Sequence, residues 1–138
     1  MGETVLSDAT ALGKILIIED NRDSRDILSK LLRMSGYSVL SAPDGETGFT
    51  TAVTYAPDLI ITDINMPRMD GIEFVKRIRS DSALSRVPVL VVTAFGSTIM
   101  REAIEAGADA SAEKPFDFDR FLNTVQTLIA RNRQTVTY

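Results

Sequence analysis

The chain has 138 residues, 44% hydrophobic and 25% charged, and its 15 Lys and Arg against 19 Asp and Glu give a net charge of −4. That length suits one globular domain with a core of its own, and the acidic balance leaves no basic footprint of the kind nucleic-acid binding needs. Cysteine and histidine are both absent, which removes disulfides, thiolate catalysis, imidazole acid–base chemistry and His- or Cys-ligated metals.

Apolar strand-like runs alternate with helical periodicity along the chain. Lys14–Ile18 is short, β-branched and apolar throughout, as a strand covered on both faces should be. A helix is expected from about Arg22, with Ile27, Leu28, Leu31 and Leu32 at core spacing, stopping at Ser35-Gly36, where glycine supplies a left-handed cap. Tyr37–Ala42 reads as the second strand. The next helix turns Gly48, Phe49, Ala52, Val53 and Ala56 inward, and Pro57 ends it. Asp58–Asp63 reads as the third strand. A loop with Pro67 and Gly71 leads to a helix holding Phe74, Val75 and Ile78. Val87–Thr93 is the fourth strand, and a helix from about Ser97 to Ala106 buries Ile99, Ala103 and Ala106 before Gly107. Asp109–Ala112 is a weak fifth strand. The last helix starts near Asp117, and its Phe118, Phe121, Leu122, Val125, Leu128 and Ile129 keep the 3.6-residue period.

Strands that alternate with helices imply parallel strands joined by right-handed crossovers. The expected fold is therefore α/β, a doubly wound five-stranded parallel sheet with helices on both faces. Ligands in such folds bind beyond the carboxyl ends of the strands. The first strand ends in Glu19-Asp20, the third in Asp63 and the fourth in Thr93, while the fifth runs into Lys114-Pro115. Clustered carboxylates with only oxygen donors suit Mg²⁺. A carboxylate can attack phosphorus to give an aspartyl phosphate, while a cation and a lysine neutralise the phosphoryl oxygens and a threonine hydroxyl donates to one of them. Singly, each residue has a plainer reading: Asp20 or Asn21 as a helix cap, Asp63 as a turn former, Thr93 as a strand residue, Lys114 as a solvated cation. Their shared edge gives the set its meaning.

The stretches Ile17-Ile-Glu-Asp-Asn21, Asp63-Ile-Asn-Met-Pro-Arg-Met-Asp-Gly71, Val92-Thr-Ala94, Gly107-Ala-Asp109 and Glu113-Lys-Pro-Phe116 occur in order, and over about Lys14 to Ala130 the chain resembles the receiver domain of two-component response regulators, in its chemotaxis-regulator-like single-domain form. The resemblance implies a flavodoxin-like sheet with strand order 2-1-3-4-5. It implies that Asp63 accepts a phosphoryl group from a sensor histidine kinase or a histidine phosphotransfer protein. Asp20, Asp63 and the backbone carbonyl of Asn65 would bind Mg²⁺, with Glu19 acting mainly through bound water. Thr93 and Lys114 would contact the phosphoryl group, and the Lys114–Pro115 bond would be cis. Such a domain is not a conventional enzyme, although it catalyses its own phosphotransfer and dephosphorylation. Its downstream protein target would dock on the face formed by the fourth helix, fifth strand and fifth helix. Asn65 and Phe95 would flank the phosphoryl group.

One position departs from the family. Ser111 stands where receivers carry Tyr or Phe, and it offers little area to bury and no ring to reorient. A phosphorylation-independent receiver-like binding module is therefore the alternative, although such modules tend to lose the acidic pair, the acceptor or the lysine, all of which are present. A flavin carrier would need a donor-rich loop after the first strand, where Glu19-Asp20 would instead repel phosphate. A haloacid-dehalogenase-type phosphatase would need Asp in place of Asn65. The expected organisation is an N-terminal tail over 1–13, a receiver domain over 14–131 and a C-terminal tail over 132–138. Met1–Gly13 has neither a basic start nor a long apolar run, so no signal peptide is expected, and no apolar stretch approaches the ~20 residues of a membrane helix. The expected location is cytoplasmic, with neither membrane nor nucleic acid as a partner.

Overall fold

The protein is described by a computed structural model covering residues 11–66, 69–94 and 97–135. Pro67, Phe95 and most of the two expected tails lie outside the described residues. The elements follow as β1 (Lys14–Ile18), α1 (Arg22–Met34), β2 (Ser38–Ala42), α2 (Gly45–Tyr55), β3 (Leu59–Asp63), α3 (Gly71–Ser80), β4 (Val89–Thr93), α4 (Ser97–Ala106), β5 (Ala110–Glu113) and α5 (Phe118–Thr135). The strands form one sheet in the order β2-β1-β3-β4-β5, all parallel.

The side-chain chemistry accounts for the layering. The central strands are apolar at successive positions because helices cover both faces, and Ile15, Leu16, Ile17, Ile18, Leu59, Ile60 and Ile61 are all essentially sealed from solvent. Alternate side chains point to opposite faces, so two cores form. Leu16, Ile18, Ile60 and Val91 join Phe74, Val75, Ile78 and Ala103 on one face. Ile15, Ile17, Ile61 and Val92 join Leu32, Phe121, Val125 and Leu128 on the other. Asn21, Asp44 and Asp70 cap α1, α2 and α3, each accepting a backbone N–H through its side chain, which satisfies a donor the helix start leaves open. Gly36 (φ 104°) and Gly107 (φ 121°) follow the ends of α1 and α4, where only glycine enters the left-handed region without strain.

Three local expectations change. In α1 only Leu32 of the four expected core residues is sealed; Leu28 is half-buried, Leu31 is at the margin of exposure, and Ile27 is 61% exposed. α1 and α5 contribute to the core on the same face of the sheet, and Ile27 and Leu31 line an open cavity beside the ends of β1, β3 and β4 instead of packing. In α2, Val53 and Ala56 face outward, because Gly48 and Ala52 make the close approach to the sheet. α5 continues to Thr135, past the expected start of the C-terminal tail.

Candidate functional site

Glu19 and Asp20 directly follow β1, Asp63 ends β3, Thr93 ends β4, and Lys114 follows β5, so the parallel sheet brings all five to one edge. Carboxylate oxygens of Glu19, Asp20 and Asp63 lie within 4.8 Å of one another. Lys114 Nζ donates to Glu19 Oε1 at 2.9 Å and to Asp63 Oδ2 at 3.3 Å. One ammonium, carried just past β5, thus bridges the ends of β1 and β3.

Local backbone geometry holds the Glu19 and Asp63 carboxylates. The Asn21 N–H donates to Glu19 Oε2 at 3.0 Å, and the Arg25 guanidinium donates to the Glu19 carbonyl at 2.9 Å. The Asn65 N–H donates to Asp63 Oδ1 at 3.1 Å, an Asx turn that fixes the side chain. The Gly71 N–H closes the loop onto the Ile64 carbonyl at 2.7 Å. A Cβ on Gly71 would sit 2.5 Å from the Asp63 carbonyl oxygen and 2.6 Å from Ile64 Cα, so only glycine lets α3 start this close to the end of β3. Ile64, Met66 and Met69 are buried and root the same loop in the core.

The remaining expected residues fall as follows. Thr93 is fully buried, and its carbonyl accepts the Lys114 N–H at 2.8 Å. The Lys114–Pro115 peptide bond is cis. Ser111 is half-buried on the edge strand β5. Asp20 and Asn65 are exposed at the rim. Arg25 escaped the sequence reading because its partner is a backbone carbonyl, which leaves no mark in residue types.

Electrostatics separate the two paired carboxylates. Burial pushes the Asp63 carboxyl above its ordinary value of 3.8; the Asn65 N–H and the Lys114 charge pull it back only in part, and Glu19 adds repulsion. Burial also acts on Glu19, but the Lys114 hydrogen bond and the Asn21 N–H outweigh it and hold Glu19 below 4.5. Lys114 is penalised by burial too, yet the Glu19 and Asp63 carboxylates hold it above 10.5. Three carboxylates against one ammonium leave an excess negative charge on hard oxygen donors. That donor set fits a hard divalent cation such as Mg²⁺, which accepts one or two carboxylates and keeps much of its water.

Next to the cluster lies an open cavity of about 510 Å³. Ile17, Ile27, Leu31, Ile61 and Phe116 form much of its apolar wall, and Glu19, Asp63 and Lys114 stand at its polar end.

The family model of the response regulator receiver domain matches residues 15–126. The chain belongs to the response regulator receiver family. The receiver domain is 39% identical over 119 residues to the DNA-binding dual master transcriptional regulator RpaA of Synechocystis, covering 86% of this chain and 49% of that protein. It is also 39% identical over 125 residues to the probable transcriptional regulatory protein SilR of Salmonella typhimurium, covering 90% of this chain and 54% of that one. The receiver chain thus spans about half the length of these curated relatives. Among solved structures, the chemotaxis protein CheY4 of Vibrio cholerae superposes with a TM-score of 0.80 at 35% identity, over 86% of this chain and 99% of that one. Among the described residues, no helix is long and apolar enough to cross a membrane.

Proposed function

We propose that this receiver is a phosphorylation-driven switch in which Asp63 takes a phosphoryl group from the phosphohistidine of a sensor kinase or histidine phosphotransfer protein. The observation that carries the reading is the Lys114 bridge between Glu19 and Asp63, with Asp20 beside them. An oxygen of the Asp63 carboxylate attacks phosphorus, a P–O bond forms, and the P–N bond breaks with its electron pair returning to the donor imidazole. The receiver sequence has no histidine, so the donor imidazole lies outside it. Asp20, Asp63 and the Asn65 carbonyl would hold Mg²⁺, with Glu19 acting through bound water. When bound, the cation neutralises charge on the transferring phosphoryl oxygens.

The chain's own groups do the remaining work. The Asn65 N–H and Lys114 orient the Asp63 carboxylate toward the open edge of the sheet. Lys114 is held charged by its two partners, so it keeps a full positive charge for the phosphoryl oxygens. Thr93 supplies a hydroxyl at the end of the neighbouring strand. The added charge on Asp63 biases Thr93 and Lys114, and through them the face of α4, β5 and α5, toward a second arrangement that binds a protein target differently. The functional unit runs from Lys14 to Arg131 and works in the cytoplasm. RpaA is named as DNA-binding; this chain matches about half of that protein and is itself acidic, so we assign its recognition to protein surfaces.

Intact mass after incubation with acetyl phosphate and Mg²⁺ tests the assignment. A single phosphoryl adduct that needs Mg²⁺ and is missing in Asp63→Asn is the expected result. An adduct that persists in Asp63→Asn would sink the acceptor assignment. Ser111 favours a second reading, a binding module indifferent to phosphorylation. Partner binding that is identical before and after adduct formation would establish it.

A further inference from the structure

We propose that α4 is a lever hinged at its C-terminal end by Arg79. The two ends of α4 are built differently from the helix beside it. α3 seals Phe74, Val75 and Ile78 in the core, whereas α4 seals only Ala103 among its described side chains, with Ile99 and Ala106 half-buried. So little apolar burial leaves a helix free to shift on the sheet.

Its C-terminal end is held by something other than burial. The Gly107 N–H bonds to the Ile104 carbonyl and the Ala108 N–H to the Ala103 carbonyl, both at 3.0 Å, closing the helix end. Arg79, from α3, then makes four hydrogen bonds there. Nε donates to the Gly107 carbonyl at 2.9 Å. Nη1 donates to the Ser85 and Val87 carbonyls at 3.2 and 2.7 Å. Nη2 donates to Asp109 Oδ2 at 2.6 Å. The same Asp109 oxygen accepts the Val89 N–H at 2.8 Å, and the Asp109 N–H donates to the Val89 carbonyl at 2.9 Å. One guanidinium therefore ties α3 to the loop before β4, the end of α4 and the start of β5. A planar fork of fixed donors suits this node, and a lysine ammonium does not. Gly107 completes it: a Cβ there would lie 2.8 Å from Arg79 Cγ.

With that end pinned, a push delivered near Thr93 tilts the N-terminal half of α4 about Gly107. Arg101 moves with it, while Glu105 and Ala106 stay close to the node. This last step rests on the proposed function; the hinge itself does not.

Amide hydrogen exchange on the full chain, without ligand, tests the hinge. Amides 105–108 are expected to exchange at least tenfold more slowly than amides 101–103, the reverse of ordinary fraying. In Arg79→Met and in the gentler Arg79→Lys the difference should fall below twofold, with the Ile17 and Ile61 amides of the central strands still protected. Equal rates at the two ends of the wild-type helix, or a difference that survives both substitutions, overturns the hinge. A second run with beryllofluoride and Mg²⁺ should change amides 101–103 and spare 105–108. A change of equal size in both groups also overturns the hinge, whereas no change anywhere in the chain counts against the proposed function and leaves the ligand-free comparison to decide the hinge.

Discussion

Lys114 satisfies two carboxylates that would otherwise repel each other in a partly buried site. Glu19 has little exposed surface, so deleting its cation leaves a nearly buried charge supported chiefly by the Asn21 N–H. Lys114→Ala is expected to cost about 1–3 kcal/mol, below the range for a fully buried pair because the lysine is partly solvated. Added Mg²⁺ should then raise the melting temperature more in the variant than in the wild type. An equal Mg²⁺ effect in thermal melts of both would count against the shared site. Glu19 and Asp63 carry opposite pH signatures. The folded pKa of Glu19 is depressed, so its contribution is present above 4.5 and lost as pH falls through the folded value. The folded pKa of Asp63 is raised, so its contribution is complete below 3.8 and lost as pH rises through the folded value. Metal-free Asp63→Asn should therefore melt higher than wild type at pH 7, with the gap closing near pH 3. A lower melting point at pH 7 would contradict the burial argument.

At the scale of elements, the β3–α3 connection matters most. The Cβ of Gly71→Ala would run into the backbone of Asp63 and Ile64 rather than into a flexible side chain, so relief requires moving the loop after Asp63. A loss of about 1–3 kcal/mol, of the kind overpacking causes, should come with weaker Mg²⁺ binding by calorimetry. Asp70→Ala removes only the α3 cap and should cost about 1 kcal/mol with Mg²⁺ affinity unchanged. If both variants weaken Mg²⁺ binding alike, Gly71 has no special hold on Asp63. Much of this level was legible in the sequence. Apolar runs such as Ile15–Ile18 can hardly be anything but central strands, and the residues following them were readable as one edge. The burial of α1 was not legible, because Ile27 and Leu31 keep helical core spacing while the cavity they line depends on how distant segments pack against the strand ends. Arg25 and Arg79 were illegible for a related reason: Arg25 serves a carbonyl oxygen and Arg79 serves three, and every residue type has one, while the single side-chain partner of Arg79, Asp109, lies thirty residues away. Asp63, Thr93 and Lys114 could be picked out as one set because their strands end at one edge of the sheet.

The whole molecule has two separate cores divided by the sheet. Phe74 packs on one side and Val125 on the other, and both are fully buried. Phe74→Ala is expected to cost about 3–5 kcal/mol. Joining it with Val125→Ala should give a sum of the single effects to within about 0.5 kcal/mol, since distant sites without shared partners add. Denaturant unfolding of the two single variants and the double variant checks this, and a larger coupling would mean that the sheet transmits strain between its faces. The rooted loop after Asp63 has an evolutionary consequence. Ile64, Met66 and Met69 belong to the same packed cluster as Phe74 and Ala103, so a lineage cannot drift freely in that half of the interior without disturbing the loop that follows Asp63. The opposite half, beneath α5, carries no such tether from this loop. Inherited variation in the two halves should therefore be tolerated unequally, with neutral substitutions accumulating faster around Val125 and Leu128 than around Met66 and Met69.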